Sequence, residues 1–101
     1  MSQKKIIPAV LGQTYGEVER QLKLLEGHTD WVHLDITDGH FTPLVSWSTI
    51  DDLRFFDGKT KVEAHLMVEK PEEIINDWAE VADRIIIHHE ATENLREILD
   101  A

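Results

Sequence analysis

Cysteine is absent from this chain of 101 residues, which excludes disulfides and thiolate metal sites together. That composition suits a reducing compartment, and the cytoplasm is the expected one. Long apolar runs are missing too: none approaches the roughly 20 residues needed to cross a membrane. No basic-then-apolar leader opens the chain, so no secretory signal is expected. Basic residues are scarce beside acids, 10 against 20, for a formal net charge of −10. This charge repels nucleic-acid phosphates and anionic lipid, so neither nucleic acid nor a membrane is an expected partner. It also draws no phosphorylated substrate from a distance, so any phosphate site would have to be local.

What remains is an ordinary globular composition, 42% hydrophobic and 30% charged. The length suits a single domain over residues 1–101 with one thin-margined core. Its organising stretch is Trp31-Val32-His33-Leu34-Asp35-Ile36-Thr37-Asp38-Gly39-His40-Phe41. Val32, Leu34 and Ile36 alternate with Trp31, His33 and Asp35, the pattern of a strand whose two faces differ. His33 and Asp35 then point the same way, about 7 Å apart at the backbone, within reach of one ion or one substrate. Asp38-Gly39 is a turn signal, so imidazole and carboxylate sit at the carboxyl end of the strand beside a loop. Parallel α/β sheets bind ligands at that end.

The rest of the chain repeats strand and helix. Ile6-Ile7-Pro8-Ala9-Val10-Leu11, within Lys4 to Leu11, is a first strand, placed at a sheet edge by Pro8, which has no N–H to donate. Gly12 ends it. Thr14 with Glu17 forms a capping box, and Val18, Leu22 and Leu25 follow at helical spacing. Thr42 to Val45 reads as loop. Ser48 with Asp51 resembles a helix start, with Ile50, Leu53 and Phe56 turned inward. Thr60 to Met67 is a third strand, with Val62, Ala64 and Leu66 on one face and Lys61, Glu63, His65 and Met67 on the other. Pro71, Glu72 and Glu73 suit the first turn of a helix whose buried stripe is Ile74, Trp78, Val81 and Ala82. Arg84 to His89 is a fourth strand, and Thr92 is the expected cap of a last helix carrying Leu95, Ile98 and Leu99. Trp31, Trp47 and Trp78 are expected in the core or between strand and helix. Lys61 and Glu63 are expected to pair below the site. His88 and His89 alternate, so at most one faces inward, and His88 is the candidate. His40 reads as a loop residue. Strands starting near residues 5, 31, 61 and 84, separated by helices, imply parallel pairing with right-handed crossovers. The fold class is α/β, a (βα)4 half of an eight-fold barrel.

At the level of its motifs the sequence resembles the ribulose-phosphate 3-epimerase family. The likeness is carried by Ile7-Pro8-Ala9-Val10-Leu11, by His33 to Pro43, by Glu63-Ala64-His65-Leu66-Met67-Val68-Glu69-Lys70-Pro71 and by His88-His89-Glu90-Ala91-Thr92. It implies a TIM (β/α)8 barrel and interconversion of ribulose 5-phosphate and xylulose 5-phosphate with a divalent metal. By resemblance His33, Asp35 and His65 match three metal ligands. Asp35 also matches one of two acids that exchange a proton with the substrate carbon from opposite faces. Met67 matches a residue lining the metal, Ala9 stands where the family usually has a serine near the substrate, and His88 is the further substrate-side candidate. A proton leaving the carbon beside a carbonyl generates an enediolate, whose charge a cation stabilises, and a carboxylate within reach takes the proton. Imidazole with carboxylate suits zinc, iron, manganese or cobalt.

The resemblance also carries departures. The family's second catalytic aspartate and its glycine-rich phosphate loops lie in the later half of the barrel. Gly12, Thr37 and Leu44 replace a small polar residue, a methionine and an asparagine. A half barrel exposes two strand edges that invite pairing. A homodimer about a two-fold axis would close eight parallel strands, with a small phosphosugar as the expected ligand. Against the enzyme stands a non-catalytic half-barrel, truncated or engineered, that self-associates and keeps its metal. For the three ligands themselves the alternative is an internally paired polar cluster that holds nothing.

Overall fold

In the computed structural model, residues 6–41, 43–48, 50, 52 and 60–100 are described. Among them the order is β1 (Ala9–Val10), α1 (Tyr15–Leu25), β2 (Trp31–Thr37), β3 (Lys61–Met67), a 3-10 turn (Pro71–Glu73), α2 (Ile75–Ala79), β4 (Arg84–Ile87), a 3-10 turn (His89–Ala91) and α3 (Leu95–Asp100). The strands form one sheet in the order β1-β2-β3-β4. Every pairing is parallel. The expected α/β half-barrel architecture is therefore present, with β1 at an edge as Pro8 implied. Among the described residues no helix is long and apolar enough to cross a membrane.

The alternation in β2 and β3 sorts the sheet into two chemically different faces. Val32, Leu34, Ile36, Val62, Ala64 and Leu66 are all buried and pack with Val10, Val18, Leu22, Trp47 and Trp78 in one core. Burying this face is favourable by about 25 cal/mol per Å² of apolar surface taken out of water. The opposite face carries the polar side chains. Helix α1 starts where the capping signal lies: the Thr14 hydroxyl accepts from Glu17 N–H at 3.3 Å. The Glu17 carboxylate reaches back one residue further than a capping box does, to Gln13 N–H at 3.0 Å. Gly12 allows a close approach here, since a Cβ at that position would lie 3.0 Å from Glu17 Cβ and 3.1 Å from Val18 Cγ2. The chain at Gly12 also accepts a 2.7 Å hydrogen bond from Trp47 N–H, tying the loop after β2 to the first strand.

Several expectations need correction. The pairing of β1 covers Ala9 and Val10, while Lys4 and Lys5 lie outside the described residues. β4 ends at Ile87 rather than His89, because the chain turns into a 3-10 turn at His89. Trp31 is not in the core: it lies on the odd-numbered face of β2, with the Arg84 guanidinium 4.6 Å and Lys61 Nζ 5.6 Å from its ring. Thr92 lies ahead of α3 rather than at its cap, accepting from Asn94 N–H at 2.9 Å and donating to Glu72 at 2.6 Å. Ile98 is buried, but Leu99 is 71% exposed. Ile50 and Asp52 are helical, as the Ser48 signal suggested. Asp51, Leu53 and Phe56 lie outside the described residues.

Candidate metal centre

His33 and Asp35 come from β2, and His65 comes from β3. The register sets Asp35 beside His65 and His33 beside Glu63. Cross-strand partners in one register share a face, so all four side chains meet on the polar side of the sheet. His33 Nε2 is 3.0 Å from Asp35 Oδ1. His65 Nδ1 is 3.0 Å from the same oxygen. The two nitrogens are 3.1 Å apart. They form a nearly equilateral triangle toward the carboxyl ends of β2 and β3. Each of the three side chains is about one-fifth exposed, so the triangle opens to solvent on one side.

The outer nitrogen of each imidazole is occupied. His33 Nδ1 donates to Glu63 Oε2 at 2.6 Å. Glu63 Oε1 in turn accepts from Arg84 Nη1 at 3.2 Å. His65 Nε2 is 2.7 Å from His88 Nε2. The hydrogen bond from His33 holds the Glu63 carboxyl below the usual carboxylate range; burial opposes this, and Arg84 adds to the lowering. The expected Lys61–Glu63 pair is thus replaced by His33–Glu63–Arg84. Lys61 and Glu63 are two apart on one strand, about 7 Å along the backbone, while Arg84 is Glu63's neighbour in the sheet. Sequence reading missed Glu63 as a partner of His33. Its polarity at an inward position was visible, but the neighbour it meets depends on register.

These residues fit a divalent cation. Their ligand atoms all lie within 4.8 Å of one another. Zinc-type ions sit about 2.0–2.2 Å from imidazole nitrogen and carboxylate oxygen, and a triangle of 3 Å edge accommodates that distance. Imidazole rings with a carboxylate partner behind them are the usual form of such sites.

A model of the ribulose-phosphate 3 epimerase family matches residues 5–101. The chain belongs to the ribulose-phosphate 3-epimerase family. It is 34% identical over 100 residues to a protein of Treponema pallidum named ribulose-phosphate 3-epimerase, covering 95% of this chain and 45% of the relative. Similar proteins of that name are found in Schizosaccharomyces pombe, 34% identical over 105 residues (98% of this chain, 46% of the relative), and in Chlamydia muridarum, 34% over 101 residues (94% and 43%). The chain spans a little under half the length of these curated relatives.

The other candidates of this epimerase-family chain lie around the triangle. Ala9 is in register with His33, and Met67 is in register with Thr37. His88 touches His65 directly, and the Phe41 ring packs against it at a tilt of 40°, with ring centroids 5.1 Å apart. The loop after β2 is held by Asp38. Its Oδ1 accepts from His40 N–H at 2.8 Å and Phe41 N–H at 3.0 Å. Its Oδ2 accepts from Glu69 N–H at 2.9 Å in the loop after β3. One carboxylate thus joins two neighbouring rim loops. Burial, the largest single influence on Asp38, raises its pKa, but the backbone donors of His40, Glu69 and Phe41 together outweigh it and hold the carboxyl below its ordinary value.

Proposed function

We propose that this chain forms the metal-binding half of an epimerase site that moves a proton at a sugar carbon beside a carbonyl. The observation that carries the reading is the triangle of His33 Nε2, Asp35 Oδ1 and His65 Nδ1, with edges of 3.0–3.1 Å. The relatives' name, ribulose-phosphate 3-epimerase, supports a ribulose phosphate and its 3-epimer as the substrate pair, and the family resemblance makes these ribulose 5-phosphate and xylulose 5-phosphate. His33, Asp35 and His65 would hold zinc, iron, manganese or cobalt. A cation bound there would supply positive charge to the substrate oxygens as the proton leaves. Asp35 is the residue to take and return that proton, because it is the one carboxylate of the triangle. Ala9, Met67 and His88 are the residues that would face the sugar. With no cysteine to oxidise, the chain suits the cytoplasm, the compartment we propose.

The edges of β1 and β4 are where further strands would continue a parallel barrel. We propose that a second copy of the chain does so, about a two-fold axis parallel to the barrel. Light scattering at micromolar concentration should give twice the chain mass. A monomeric mass with the fold intact contradicts this closure.

A second reading, a non-catalytic half-barrel assembly that keeps its metal, is favoured by one observation. Among the described strand residues of the polar face the carboxylates are Asp35 and Glu63, and Glu63 is held by His33 and Arg84. Deuterium exchange from solvent into ribulose 5-phosphate separates the two. Rapid exchange that disappears in Asp35→Asn supports the enzyme. No exchange from a protein that binds metal and has paired chains supports the assembly.

A further inference from the structure

We infer that His88 is a positioning residue for His65: it accepts the hydrogen bond that turns the Nδ1 lone pair of His65 toward Asp35. The inference rests on the reading that His33, Asp35 and His65 hold a divalent cation. It goes beyond that reading by giving His88 a role exerted through a ligand rather than on the substrate.

The two imidazoles of the triangle use opposite nitrogens. His33 turns Nε2 inward and gives Nδ1 to Glu63. His65 turns Nδ1 inward, which leaves Nε2 facing His88 at 2.7 Å. A neutral imidazole that offers a lone pair at Nδ1 carries its hydrogen on Nε2, and that N–H needs an acceptor. His88 Nε2 is the acceptor when the His88 hydrogen is on its own Nδ1. Each ligand ring thus has a partner behind it, a carboxylate for one and an imidazole for the other.

His88 is itself held in place. Its backbone is extended, with φ −102° and ψ 127°, just beyond β4. Its ring lies 4.9 Å from that of His65 at an interplanar angle of 28°. Phe41 covers it from the loop after β2. A ring packed by two aromatic neighbours has little freedom to turn, so its acceptor stays aimed at His65. Ligation by His88 through Nε2 would require breaking this contact.

The test measures zinc affinity of the full chain by chelator competition, together with nitrogen-15 NMR of the imidazole rings in the zinc-loaded protein. His88→Phe keeps a ring and removes the acceptor; His88→Gln restores an acceptor through its amide oxygen. Affinity should fall about 10–100-fold in H88F and stay within about threefold of wild type in H88Q, the range for losing or keeping a partner behind a metal ligand. In the wild type, His65 should carry hydrogen on Nε2 and zinc on Nδ1. The inference is overturned by wild-type affinity in H88F, by H88Q as weak as H88F, by zinc on His65 Nε2, or by zinc shifting the ring nitrogens of His88 as a ligand. If H88F does not fold, H88Q against His88→Met decides in the same way. Failure of the underlying metal reading looks different: zinc binding would be absent from the wild type or unchanged in His65→Ala.

Discussion

Asp35 and His65 are register partners on adjacent parallel strands, and one carboxylate oxygen of Asp35 lies 3.0 Å from His65 Nδ1. The same oxygen lies 3.0 Å from His33 Nε2, two residues back along the strand of Asp35. The site therefore needs one register and one alternation, both enforced by the apolar side of the sheet. Slipping β3 by one residue would turn His65 into the core and bring Ala64 or Leu66 to the polar face. Core packing and ligand geometry are thus fixed by the same pairing.

Glu63 should matter to both stability and metal binding. Its carboxylate is buried and engaged by His33 and Arg84. Glu63→Leu leaves His33 Nδ1 without its acceptor and should cost about 1.5–3 kcal/mol in urea unfolding, the worth of hydrogen bonds to a charged group. Zinc affinity should fall about 10–100-fold, with Glu63→Gln intermediate because its amide oxygen still accepts. Equal affinity in wild type and E63L would show that His33 needs no such partner.

Asp38 should make stability depend on acid. Its pKa is lowered in the folded state, so its contribution is complete above the unfolded value of about 3.9 and is lost as pH falls through the lower folded value. Urea midpoints of the wild type should therefore drop as pH falls below about 4. Asp38→Asn should flatten part of that drop, since it has no carboxylate to protonate and cannot accept from Glu69 N–H with its amide nitrogen. Identical pH profiles for wild type and D38N would contradict the assignment.

Thr37 offers a stabilising change. It is 3% exposed, and its hydroxyl oxygen has no hydrogen-bond partner among the described residues. Removing a buried unsatisfied hydroxyl while keeping the branched shape should add about 1 kcal/mol. Thr37→Val should accordingly raise the urea midpoint; a lower midpoint would reveal a partner for the hydroxyl.

The parts legible in the sequence were those written in local pattern. Alternation over residues 31–37 and 61–67 gave the strands and their faces, and Thr14 marked the start of α1. His33 and Asp35 were readable as a pair because they are two apart on one strand, whereas His65 joined them only through the resemblance of the Glu63 to Pro71 motif to the epimerase family. What stayed hidden depends on which residues face each other across the sheet. Arg84 displaced Lys61 as the partner of Glu63 because it is one strand over at the same level. Trp31 obeyed the alternation against its own hydrophobicity and took Arg84 and Lys61 as neighbours. The approach of His88 to His65 depends on where β4 stops and the chain turns, which no periodicity records.

The most direct test of the metal centre is a zinc titration of the wild type against the triple variant His33→Ala, Asp35→Ala, His65→Ala, with circular dichroism to confirm that both are folded. The triangle predicts saturable binding of one ion per chain in the wild type and none in the variant. No saturable binding by the folded wild type, or equal binding by the triple variant, would contradict it.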